Sequence, residues 1–185
     1  MSRPGDAARR APTELAELLE EYDRALAHTD RLWTDLPESE VRWRPDERSS
    51  AIAWHVGHQP AVAHFLIRNL TAAEPRLDHE LDALFDSATP EPDRGALPDL
   101  DRLRRYRAEV IARVRFRVGE IDAGRSGAPD QLRAIAATVL TAIVNHEYQH
   151  DQWIAEVRRD QLDRSLPEPP VSARLRTVDG YLVLT

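Results

Sequence analysis

Behind Pro12-Thr13, the apolar residues Leu15, Leu18, Leu19, Tyr22, Leu26, Leu32, Trp33 and Leu36 recur at three- and four-residue spacing, which predicts a helix over 13–36. Pro37 and the Trp43-Arg44-Pro45 segment form a connector, and Ser49-Ser50 then caps a second helix reaching Thr71. Its apolar face carries Ile52, Val62, Leu66 and Leu70, and Pro60 inside it predicts a kink or irregular turn over 56–60. The pattern weakens from Glu74 to Pro98, where 77–85 reads as a short helix and Thr89-Pro-Glu-Pro-Asp-Arg-Gly95 as a loop. A third helix starts near Asp99, carries Leu103, Tyr106, Val110, Val114 and Ile121, and stops before Gly124. A fourth runs from Pro129 to about Arg159.

Four long helices with one long middle connection predict an all-α four-helix bundle in which the second and third helices run parallel, because a short loop would force them antiparallel. After Leu166-Pro-Glu-Pro-Pro170 the chain turns β-branched, and Asp179-Gly180 is a strong two-residue turn signal, so 171–185 reads as a β-hairpin. An isolated hairpin is marginal, so it should pack on the bundle or on a second subunit. The expected organisation is a flexible N-terminus over 1–12, a bundle over 13–165 and an extension over 166–185.

Composition narrows the chemistry. At 185 residues with 42% hydrophobic and 31% charged residues, the chain suits one globular core. Without cysteine it has no disulfide, thiolate metal site or cysteine nucleophile, and without lysine no Schiff base. A net charge of -7 argues against nucleic acid as a partner. The polar N-terminus and the lack of any apolar run near about 18 residues predict a soluble, cytoplasmic protein with no membrane partner.

Any metal must therefore be held by imidazole or oxygen. On the fourth helix, with about 100° per residue, Leu132, Ile135, Val139, Ile143, His150, Trp153 and Val157 all fall within about 60° of His146. Two histidines at i and i+4 in an apolar stripe match the spacing that places two imidazoles on one ion. On the second helix His55 lies near the centre of the apolar face, His58 about 60° to one side, and His64 on the opposite, solvated side. Periodicity leaves the choice between His55 and His58 open. His28 and His79 have no partner at useful spacing and read as surface or packing residues. On the third helix Arg107 and Arg117 flank the apolar face; Arg107 is a candidate for holding a substrate carboxylate at a cavity mouth.

The segments Trp54-His-Val-Gly-His58 and His146-Glu-Tyr-Gln-His150, with the Trp43-Arg44-Pro45 lead, resemble the DinB-like (YfiT-type) metal-binding four-helix bundles. The two motifs look closest to the bundle domain of ergothioneine-type sulfoxide synthases, although this chain has no room for their second catalytic domain. The resemblance covers residues 13–160 and implies an up-down-down-up bundle. It implies His58, His146 and His150 as ligands of a divalent ion, with His55 beside them. It also implies a small-molecule substrate, a homodimer, and for the stand-alone members metal-dependent transfer of low-molecular-weight thiols such as mycothiol or bacillithiol. Zinc is the first expectation for three imidazoles, and nickel and iron(II) suit the same donors. The alternatives are a non-catalytic metal-stabilised binding or resistance protein, and a zinc hydrolase of the His-Glu-x-x-His type with Glu147 activating water. Glu147 lies about 100° from the histidine stripe, which makes it a neighbour of the ligands or a surface carboxylate. The catalytic candidates are thus His55, Glu147 and Arg107.

Overall fold

The computed structural model describes residues 12–71, 74–89, 95–127 and 129–185. The expected flexible terminus lies outside these residues except for Pro12, as does most of the expected 89–95 loop. Its helices are α1 (Glu14–Trp33), α2 (Glu38–Val41), α3 (Ile52–Thr71), α4 (His79–Leu84), α5 (Leu100–Asp122) and α6 (Pro129–Glu156), with a π-helical turn at Val157–Gln161 and strands β1 (Leu175–Val178) and β2 (Tyr181–Leu184).

Local chemistry sets most of these boundaries. The Thr13 side chain accepts from the Ala16 N–H, and Asp78 and Asp99 cap α4 and α5 in the same way. Gly124, at φ 69°, follows the end of α5 in the left-handed conformation that a glycine adopts without a Cβ penalty. The first helix is shorter than the pattern predicts, and α2 is a separate turn begun by Pro37. The irregular turn expected over 56–60 does not interrupt α3, which continues through Pro60.

Side-chain pairs fix the directions of the long helices. Thr13 reaches Asp122, Asp23 meets Arg115 and Asp30 meets Arg107, so α1 and α5 are antiparallel. Arg158 just beyond α6 donates to the Leu32 carbonyl and to Asp35, so α1 and α6 run the same way. His55 faces His150 and Gln59 donates to the Glu147 carbonyl, so α3 opposes α6. The bundle is therefore up-down-down-up, with α3 and α5 parallel as the long connection requires.

The core differs from the expected one on α6. Its most deeply buried line runs through Ala136, Leu140, Ile143, Glu147, Asp151 and Ile154, and continues to Arg158. His146, His150 and Trp153 lie on the flank of this line rather than at its centre, and Ile135, counted in the stripe, is 51% exposed. The physical reason is that α6 packs against α1, α3 and α5 at once, so its buried arc is wide and admits paired polar groups.

The hairpin forms as expected, but its strands begin at Leu175, and Val171 is exposed. Asp179 and Gly180 both have positive φ, the requirement of the tight type I′ connection. Leu175 and Leu184 are buried, and the Asn145 side chain accepts from the Leu184 N–H at 2.7 Å, so the hairpin packs on α6.

Candidate metal centre

Helices α3 and α6 cross antiparallel where the two histidine motifs meet. His58, His146 and His150 each offer a ring nitrogen, and these atoms all lie within 4.8 Å of one another, a grouping that could hold a metal ion. His58 and His150 are buried, while His146 keeps some access to solvent.

The rings are oriented by their neighbours. His58 Nδ1 lies 2.6 Å from the Phe85 carbonyl oxygen, to which it donates as Nδ1–H. His150 Nδ1 lies 2.8 Å from His55 Nδ1. With Nδ1 engaged in both rings, Nε2 is the atom each can give to an ion, the usual division of labour in a metal-binding imidazole. The Trp54 indole stacks on His58 with centroids 4.5 Å apart, and Trp153 meets His150 edge-on at 4.7 Å.

One backbone position makes the His58 contact available. A Cβ at Gly57 would overlap the Phe85 ring, so only glycine lets Phe85 close onto α3 and bring its carbonyl to His58. Burial also suits the ligand role, because an imidazole must be neutral to bind metal. Burial, followed by the nearby His58, pushes the His146 pKa down to about 4. His150 is driven further down by burial and then by His146, His55 and His58.

The other expected residues fall in two places. His55 joins the cluster as the partner of His150. Glu147 and Arg107 bind each other instead: the guanidinium donates to Glu147 Oε1 at 2.7 Å, with both side chains buried. The surface position allowed for Glu147 is thus corrected, since a buried arginine on α5 compensates its charge. Burial opposes the Arg107 charge, and the carboxylates of Glu147 and Asp30 outweigh it, so its pKa is raised.

A polar chain that the sequence did not announce continues from this pair. Thr29 Oγ1 lies 2.8 Å from Glu147 Oε1, 2.7 Å from Asp151 Oδ1 and 3.2 Å from the Ala25 carbonyl. One hydroxyl hydrogen cannot serve three acceptors. Burial, then the adjacent Glu147 carboxylate, push the Asp151 carboxyl well above the usual range, so Asp151 is the acid that supplies the missing proton. Gln59 closes the chain by donating to Asp151 Oδ1 at 3.1 Å.

His64, expected in solvent, is 1% exposed. It packs between Asp82, whose carboxylate is 3.8 Å from Nδ1, and Arg113, which approaches Nε2 at 3.3 Å. The connection between α3 and α5 covers that side of α3, which a helical wheel of α3 alone cannot register. His28 is buried and His79 exposed, each apart from the cluster.

Among the described residues no helix is long and apolar enough to cross a membrane. No curated protein and no solved structure matches the chain. The model of the DinB superfamily, however, matches residues 21–154, a span that contains both histidine motifs and all four long helices in whole or large part. The chain belongs to the DinB superfamily.

Proposed function

We propose that this protein is a metal-dependent small-molecule transferase in which His58, His146 and His150 hold a divalent ion and a low-molecular-weight thiol is the nucleophile. The convergence of three ring nitrogens within 4.8 Å, two of them in rings oriented through Nδ1, carries the reading. Three neutral imidazoles leave the full charge on an ion and leave coordination positions for substrates. Zinc fits this donor set, as do nickel and iron(II).

A divalent ion held by His58, His146 and His150 would supply Lewis acidity, which would favour the thiolate form of a thiol whose ordinary pKa is about 8.5. The thiol proton leaves to solvent, a carbon–sulfur bond forms, and the leaving group departs with its electron pair. The chain contains no cysteine, so the sulfur must arrive with a substrate. His55 holds the His150 ring, the Phe85 carbonyl holds that of His58, and Trp54 and Trp153 shield the imidazoles from water.

The buried position of Glu147, engaged by Arg107 and Thr29, weighs against a hydrolase in which that carboxylate activates water. Elemental analysis of the wild type beside a His146→Ala/His150→Ala variant tests the metal. Equal metal in both would refute the ligand set. Conjugation of an aryl chloride by mycothiol, bacillithiol or glutathione, lost on chelation, tests the transfer. Metal content without turnover on any thiol would favour a binding or resistance protein.

A further inference from the structure

A cleft of about 590 Å³ opens on the outer side of α3, between that helix and the 76–87 segment. This volume lies within the range of small-molecule sites. One end is His58 and Phe85, the edge of the histidine cluster. Val62, Phe65 and Leu66 form an apolar wall, and Phe65 is 59% exposed despite its size. Arg68 and Arg76 stand at the other end.

The charges in the cleft are unequally engaged. Asp82 takes the Tyr106 hydroxyl at 2.8 Å and faces the buried His64, and Asp86 accepts from the Ala88 N–H at 2.9 Å. Toward the described residues Arg68 uses Nε alone, which donates to the Glu74 carbonyl at 2.9 Å. Arg76 donates no hydrogen bond to another described residue, although its charge acts on Asp82. Asp82 and Asp86 accept hydrogen bonds from the fold, whereas the terminal guanidinium nitrogens of Arg68 and Arg76 donate to no other described residue. His58 and Arg68 are ten residues apart on one helix, about 15 Å along its axis.

We propose that this cleft binds the body of the second substrate, and that its class is an anionic amphiphile, an apolar chain or aryl group ending in a carboxylate. The carboxylate pairs with Arg68 and Arg76, the apolar body lies along Val62, Phe65 and Leu66, and the opposite end points to His58. Only the role of that reacting end rests on the transferase reading. An arginine fork binds a carboxylate with two parallel hydrogen bonds, and the apolar wall excludes a fully hydrated anion.

The test is calorimetric titration of the full chain with octanoate, octan-1-ol and octylammonium, with and without added zinc. Octanoate should bind with one-to-one stoichiometry and at least about tenfold more tightly than the alcohol, with no detectable binding of the ammonium. Arg68→Ala/Arg76→Ala should weaken octanoate about tenfold and leave the alcohol unchanged. Val62→Trp should remove binding of both, with helical circular dichroism preserved in each variant. Equal affinity for the three ligands, or indifference to the arginines and to Val62, overturns the proposal. So does octanoate binding that disappears when zinc is withheld while the arginine variant binds normally, because the carboxylate would then be on the ion. Octanoate binding by a chain that takes up no metal would remove the metal reading alone. Metal uptake without octanoate binding would remove the cleft alone.

Discussion

His55 and His150 meet nitrogen to nitrogen, Nδ1 to Nδ1, at 2.8 Å. Between two neutral rings such a contact needs one donor and one acceptor, so a His150 that gives Nε2 to an ion carries its proton on Nδ1 and donates it to His55. His55→Phe keeps an aromatic ring there and removes the acceptor. Metal affinity should fall about tenfold to a hundredfold, measured by competition with a chromogenic chelator, without complete loss. Unchanged affinity would show that the ring orientation of His150 does not depend on His55.

Gly57→Ala tests the closure of Phe85. The added methyl collides with the ring, and the expected cost is about 1–3 kcal/mol in chemical denaturation together with weaker metal binding through His58. Phe85→Leu in the same chain should recover part of both, because a smaller side chain lets the backbone carbonyl return.

The buried pair Arg107–Glu147 predicts an asymmetric mutational pattern. Arg107→Met leaves Glu147 uncompensated among α1, α5 and α6 and should cost about 3–5 kcal/mol by urea denaturation. Arg107→Met with Glu147→Leu should recover most of that loss. Additive losses in the double variant would mean that the pair is not one unit.

His28 contributes to the acid limb of stability, as His146 and His150 also do. Burial, reinforced by the Arg31 guanidinium, lowers the His28 pKa from 6.5 to about 4. Above pH 6.5 the ring is neutral in both folded and unfolded chains and has no effect. Between pH 6.5 and 4 the unfolded chain binds the proton first, so stability falls as pH falls, by about 2 kcal/mol after allowing for partial solvent access. His28→Phe should make that part of the pH–stability curve shallower by about that amount, leaving the share due to His146 and His150.

The parallel α3 and α5, the hairpin turn and the two histidine motifs were legible because each rests on a local or periodic signal. The centre of α6 was not. Its deepest line contains Glu147, Asp151 and Arg158, and charged residues in a sequence argue for solvent until their partners are known. Those partners, Thr29, Arg107 and Asp35, lie on other helices or at their ends. The burial of His64 was hidden for the same reason, since a segment distant from its own helix face covers it. Spacing left His55 and His58 undecided, and the family resemblance named His58. The structure makes the pair intelligible, because the Phe85 carbonyl holds one ring while the other serves His150.

The hairpin has one further consequence. Asn145 satisfies both main-chain groups of Leu184, donating to its oxygen at 3.5 Å and accepting from its nitrogen at 2.7 Å, so β2 turns its outer edge to α6. On the other side Leu175 of β1 is engaged as well: its N–H donates to the Ser172 carbonyl at 3.3 Å, and its carbonyl accepts from the Arg176 guanidinium at 2.8 Å. The Leu175–Leu184 end of the hairpin is thus capped on both outer sides, by a helix and by the chain's own arginine. An added strand would have to displace these bonds before it could pair there, which guards this end against edge-to-edge stacking of one chain on the next.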